Sequence, residues 1–353
     1  FECKVYGHVQ GQLLAILSHL LRQEGRYLVG ISCDNIGQKL MMTCQYPLME
    51  LELQRQDLAD ALAPSSLFLL KSIRIAVQKF HGTDSLFDHN VSDRAFSSLG
   101  PRREANAILM TFHYSIIGSK LASKIISQEY MDQSYLDITL KLLLWGSSSD
   151  VASGKLKLAA FYLVQDNLDL SEDVLNEIYE NYRCKISNLP TISQDTLEIV
   201  LSENLSTTQF VSRYTAFPVL YHPSEIICTP KALIPEMFQS TTSNQGYSYE
   251  NYITNMVRVD PKVYLFFLQF VCHQRQNKRL HKEVALHNMI CAIRHDKLRF
   301  MDTALNLLAY CLMHEGKLMN AFIILCKSMK LQKYCNAAKW QIAILINAAF
   351  RFL

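Results

Sequence analysis

Apolar residues recur at helical intervals along most of the chain, and breaks rich in proline, glycine and polar residues separate the stretches in which they do. Val9, Leu13, Leu14, Ile16, Leu17, Leu20 and Leu21 predict an amphipathic helix, with Gly25 placed to terminate it. Ile36, Leu40, Met41 and Cys44 predict a second, which ends before Pro47 because the ring disfavours a helical conformation in the residue ahead of it. After the charged connector Glu50–Asp60, Pro64, Ser65 and Ser66 supply a turn and a capping oxygen for a third helix from Leu67 to about Phe80. Residues 1–90 therefore read as a helical lobe.

Residues 91–185 read as helical hairpins. Ile108, Leu109, Phe112, Ile116 and Ile117 mark one helix, and Tyr135, Ile138, Leu142 and Leu143 the next, up to a break at Gly146–Ser149. Asp150 is placed to cap a helix carrying Leu156, Leu158, Ala159, Ala160, Tyr162 and Leu163. Asp169 with Glu172 resembles a capping box for a helix through Val174, Leu175, Ile178 and Tyr182. Residues 186–260 change character: Pro190, Pro218, Pro223, Pro230 and Pro235, then a Ser, Thr, Asn and Gly-rich run, predict an irregular connector with short helices. Thr229 before Pro230 and Asp260 before Pro261 each set a capping oxygen ahead of a proline suited to a first helical turn.

The clearest pattern lies in residues 261–353. Leu308, Ala309, Gly316, Ala321, Leu325 and Ser328 fall where a tetratricopeptide helical hairpin needs apolar, small or flexible residues, and Ala285 and Ala292 repeat the seven-residue interval of Ala321 and Ser328. Small residues let two helices approach closely, so hairpins can stack over a continuous core. Trp340, Ile342, Ala343 and Ile346 begin another unit. The expected fold class is all-α, a helical lobe followed by a helical-hairpin repeat region with an irregular proline-rich connector.

With 353 residues, 49% hydrophobic and 19% charged, the composition is that of a folded protein large enough for two or three domains. The longest apolar runs, Val263–Cys272 and Ile342–Phe350, fall well short of the roughly 18 residues a membrane span needs, so no membrane partner is expected. The chain opens on Phe1 with no secretory signal pattern, and it reads as a fragment of a longer protein. Ten scattered cysteines, several among Leu and Ile at helical positions, point to a reducing, cytoplasmic compartment. A net charge of +3 is too small to imply a polyanion partner without a local cluster.

One local cluster exists. Arg275, Lys278, Arg279 and Lys282, with His273 and His281, could grip phosphates, although they also sit where a solvated turn between two helices belongs. His287, Cys291 and His295 share a helix face, but a single straight helix cannot converge three ligands on a tetrahedral ion. Glu50 and Glu52 alternate around Leu51, and the pairs Gly118–Ser119 and Gly146–Ser147 lack the longer lysine-bearing pattern of a phosphate loop. No catalytic residue, metal site or cofactor is expected.

Three segments carry a resemblance. They are Tyr214–Pro218 with Tyr221, Pro223, Ser224, Glu225 and Thr229–Phe238; Val259–Leu268; and Glu315–Ser328 with Asn336–Trp340. Together they resemble the C-terminal half of large invertebrate members of the male-abnormal twenty-one (Mab) family, relatives of cyclic GMP-AMP synthase, over about residues 150–353. The helix order of residues 8–80 is similar to that family's C-terminal helical lobe. The resemblance implies a noncatalytic portion of such a protein, with any nucleotidyltransferase core upstream, and, as one option, cytosolic nucleic-acid sensing or another innate-immune role. It also implies a repeat surface offered to a protein partner or to the upstream lobe.

Overall fold

The computed structural model describes residues 111–112, 114–123, 126, 133–183, 187–188, 207–238, 256–332 and 336–351. The helices expected between Val9 and Phe80, and the Glu50 and Glu52 pair, lie outside the described residues. What is described is mainly helical, as the apolar periodicity predicts.

Helix α1 (Gln133–Gly146) leads through a tight turn into α2 (Ser153–Val164) and α3 (Leu168–Arg183). The Gly146–Ser149 break is a place of close approach. A Cβ on Gly154 would lie 2.0 Å from the Gly146 carbonyl oxygen, and one on Gly146 would lie 2.5 Å from the Ser115 backbone nitrogen. Asp150 caps α2 as expected, accepting from the Ser153 and Gly154 backbone N–H groups at 2.8 and 3.4 Å. Its other oxygen accepts from Phe217 N at 2.7 Å, so the same carboxylate also ties down a segment far along the chain. Asp169 and Glu172 do not open α3. Asn167 stands at that end, its side chain accepting weakly from Leu170 N at 3.4 Å, which leaves both acids for other work.

The connector forms β1 (Ser187–Asn188), α4 (Thr207–Tyr214), β2 (Thr215–Ala216), β3 (Val219–Tyr221), 3-10 segments at Pro223–Cys228 and Lys231–Phe238, and β4 (Val257–Val259). β1 pairs in parallel with β2, and β3 antiparallel with β4 in the register Val219 to Val259 and Tyr221 to Val257. The Thr229 side chain does not start the segment after Pro230: its hydroxyl donates back to the Glu225 carbonyl at 2.8 Å, and its backbone N–H closes the preceding segment on the Ile226 carbonyl.

After β4 come α5 (Pro261–Arg275), α6 (Arg279–His295), α7 (Met301–His314), α8 (Leu318–Leu331) and α9 (Ala338–Arg351). The Asp260 side chain precedes α5 without bonding its first turn, which only the Asp260 backbone carbonyl joins, accepting from Tyr264 N at 3.0 Å. Its carboxylate accepts instead from Arg299 N and Phe300 N, at 3.3 and 2.9 Å, and so holds the α6–α7 connection. Every residue of α5 from Val263 to Phe270 is buried, as expected of a helix with neighbours on all sides. It packs against α2 and α3 as well as α6 and α7, so the hairpin of 153–183 joins the stack that continues to α9. One hydrophobic cluster runs from Ala152 to Leu345. Full burial of a side chain such as Phe267 or Phe270 stabilises by about 1.5–3 kcal/mol.

Three hairpins share one turn. In α2–α3, Asn167 N donates to the Tyr162 carbonyl and Asp166 N to the Leu163 carbonyl; Lys278 and Asn277 repeat this with His273 and Gln274, and Lys317 and Gly316 with Leu312 and Met313. This is the pairing of a helix ending in a left-handed residue. That residue is Asp166 (φ 59°), Asn277 (φ 57°) or Gly316 (φ 70°). Counted from it, Ala159 and Ser171 of the first hairpin match Ala309 and Ala321 of the third, and Ser171 Oγ donates to the Ala159 carbonyl at 3.0 Å. The middle hairpin carries Phe270 and Lys282 there. By the same count the equivalents of Ala321 and Ser328 are Lys282 and Met289, not Ala285 and Ala292, which stand three residues further along α6.

Candidate functional site

The basic cluster falls at the α5–α6 turn, and each of its cations has a partner inside the protein. Arg275 Nη1 donates to the Leu163 carbonyl, and the same nitrogen lies 3.8 Å from Asp166 Oδ1. Lys278 donates to both oxygens of Glu172, at 2.8 and 2.6 Å. Arg279 pairs along its own helix with Glu283 at 3.0 Å, and Lys282 reaches Glu315 at 2.6 Å while its ammonium lies 5.9 Å from the Phe270 ring centre. Burial alone would push Glu172 up, but hydrogen bonds from Lys278 and Gln276 and the Lys278 charge outweigh it and hold the carboxyl below its ordinary range. Arg275 and Lys278 therefore bind the first hairpin, and Lys282 the third. These three cations act as braces between hairpins, whereas Arg279, paired along its own helix, is the most exposed of the four, at 85%.

A second polar cluster is buried. Lys157 on α2 forms an ion pair with Glu225, with only 3% and 1% of the two side chains exposed. Glu225 also accepts from His222 N at 2.7 Å, in a capping box that starts the Pro223–Cys228 segment. The Lys157 ammonium lies 4.8 Å from the Tyr221 ring centre, and the Tyr221 and Tyr264 hydroxyls meet at 2.9 Å. Desolvation pushes Lys157 down, against the upward pull of Glu225, and pushes the Cys228 thiol up to about 12. The cavity beside Lys157, lined by Ser115, Ser153, Pro218 and apolar side chains, is ≈ 10 Å³, about enough for one water molecule. The cluster joins the connector to the stack.

A third polar group does the same for the last hairpin. Asn306 Nδ2 donates to Glu236 Oε1 at 2.7 Å and to Asn336 Oδ1 at 3.1 Å, and Asn336 Nδ2 donates to Ser328 Oγ at 3.0 Å. No family model, curated protein or solved structure matches the chain. Cys291 Sγ lies 3.5 Å from His287 Nε2, and His295 is exposed further along α6. No group of three metal-ligating side chains is assembled among the described residues. The described cysteines are free, and no described helix is long and apolar enough to cross a membrane.

The outward side of the stack carries a pattern that periodicity alone leaves unread. Three and seven residues past the left-handed turn residue, α6 exposes Leu280 (74%) and Val284 (57%), and α8 exposes Met319 (70%) and Ile323 (57%). Residues four apart lie on one helical face, so each pair is contiguous. The row continues on α8 with Lys327 and Lys330, both exposed and without an acidic partner among the described residues. On α3 the same four positions are Asp169, Asp173, Glu177 and Glu180, all exposed. Counting from Asp166, Asn277 and Gly316 would have located these rows in the sequence.

Proposed function

We propose that this chain is a noncatalytic helical scaffold that presents the outward surface of its stacked, tetratricopeptide-like hairpins to protein partners or to an upstream lobe of its own protein. The observation that carries this reading is the exposed apolar row repeated at equivalent positions of α6 and α8, set on a stack held by one continuous core. Isolated apolar residues on a surface need no explanation, but a row repeated by the architecture does. Placement beside an upstream nucleotidyltransferase lobe, with an innate-immune role in a cytoplasmic protein, rests on the Mab-family resemblance alone.

Direct nucleic-acid binding would draw on Arg275, Lys278, Arg279 and Lys282. A phosphate there competes with Glu172 for Lys278 and with Glu315 for Lys282. The purified chain, supplied with nucleoside triphosphates and magnesium or manganese, is expected to show no turnover. In a salt titration it is expected to show none of the steep loss of duplex affinity that phosphate contacts give. Turnover abolished by substitution of a residue in this chain, or duplex binding that falls steeply with salt and is lost on alanine substitution of the four cations, would overturn the scaffold reading.

A further inference from the structure

Accepting the scaffold reading, the charge around the exposed row narrows what can cover it. α8 contains no aspartate or glutamate, and its outward face runs from Met319 and Ile323 to Lys327 and Lys330. On α6 the face that starts with Leu280 and Val284 continues to His287 and Arg294, and the one exposed acid, Glu283, is neutralised by Arg279. Both helices thus set an apolar pair in their first two turns and basic groups in their later turns. We infer that the α6–α8 face docks an acidic amphipathic helix of a partner protein, its apolar side chains on Leu280, Val284, Met319 and Ile323 and its carboxylates facing Lys327, Lys330 and Arg294.

Helix-in-groove recognition reads apolar anchors one turn apart, and flanking charges fix direction and exclude other partners. A second copy of this chain is a poor occupant. Its acidic helix α3 would set Asp169 and Asp173 against Met319 and Ile323, leaving carboxylates desolvated without cations.

The test is fluorescence anisotropy with the full chain and three labelled helical peptides. One has leucines a turn apart followed by glutamates, one the same leucines followed by lysines, and one the acidic composition in scrambled order. Saturable binding of the acidic amphipathic peptide alone is expected. The double variant Val284→Asp with Ile323→Asp, both exposed and folded by circular dichroism, is expected to weaken it by about tenfold or more. Lys327→Glu with Lys330→Glu is expected to transfer the preference to the basic peptide.

Equal binding of all three peptides, no effect of the double variant, or capture of the face by phosphatidylserine vesicles in preference to the peptide would overturn the inference. So would concentration-dependent self-association removed by the same double variant. If the peptide fails while partners cross-linked to the wild-type chain remain cross-linked to the double variant, this face is not the docking site and the scaffold reading stands. Nucleotide turnover would instead remove the scaffold reading, leaving the peptide result to be judged on its own.

Discussion

The first and third hairpins are built alike and finished differently. Both cross at small residues, Ala159 with Ser171 and Ala309 with Ala321, and both turn through a left-handed residue bonded in the same way. Their outward rows are opposite in chemistry at every shared position: Asp169 against Met319, Asp173 against Ile323, Glu177 against Lys327 and Glu180 against Lys330. Their inner ties differ too, a buried ion pair in the first and a neutral amide network with one carboxylate in the third. Inward positions obey the geometry of stacking, whereas outward positions are free to follow use.

The largest expected effect comes from breaking the first hairpin's tie. Lys157→Met removes the cation paired with buried Glu225, which costs about 3–5 kcal/mol in urea unfolding. The double variant Lys157→Met with Glu225→Leu should recover most of that loss, and failure to recover would show that Glu225 serves chiefly through its bond to His222 N. In the third hairpin, Asn306→Ala removes a donor to buried Glu236 and is expected to cost less, about 1–3 kcal/mol. Equal losses in the two hairpins would erase the distinction between their ties.

A pH series separates them further. Burial, with the charges of Lys120 and Lys157, pushes the His222 imidazole down from 6.5 to about 4. In the fold its Nδ1 accepts from Ser224 N at 3.2 Å, which requires that nitrogen to be unprotonated. Between pH 6.5 and about 4 the unfolded chain takes up a proton that the folded chain refuses, so stability present above 6.5 is lost as pH falls through this window. His222→Gln should flatten the decline in a urea series, and an unchanged slope would assign acid sensitivity to other groups.

The turns give a smaller effect. Gly316→Ala places a β-carbon at φ 70° with nothing within 4 Å, so the cost is backbone strain alone, about 1 kcal/mol by thermal unfolding. Gly316→Asn should cost less, since Asn277 already occupies the equivalent position. Smallest of all, Asp173→Lys on the exposed row of α3 should shift stability by no more than about 0.5 kcal/mol, as surface substitutions do. A larger loss would show that the acidic row is structural.

The third hairpin was legible because all its marker positions carry residues of the expected kind. The first has the same spacing in Leu158, Ala159, Ser171, Leu175 and Ile178, but Asp166 stands where glycine is the familiar signal. Its acids at Asp169 and Glu172 imitate a helix start two residues late. In the middle hairpin Phe270 and Lys282 occupy the small positions, and nothing in periodicity says that a lysine can stand there with its ammonium 5.9 Å from the Phe270 ring centre and reach Glu315. The basic cluster was legible as charge but not as brace, because Glu172, Asp166 and Glu315 come near it only once the hairpins stack. Asp150 and Asp260 were read as caps from the following residues. Their bonds to Phe217, Arg299 and Phe300 depend on contacts that span long stretches of chain.

The short clasp of β3 on β4 sets Tyr221 beside Val257, at the point where the chain re-enters the stack as α5. After Tyr221 the chain stays tied to the stack through Glu225 to Lys157 and Glu236 to Asn306 as far as Phe238, and lengthening a closed flexible loop carries a cost that grows only logarithmically, about 0.6 kcal/mol for each doubling. An insertion between Phe238 and Met256 would therefore leave those ties, and the spacing of the helices they join, in place. That part of the connector is where this architecture can accept a new module.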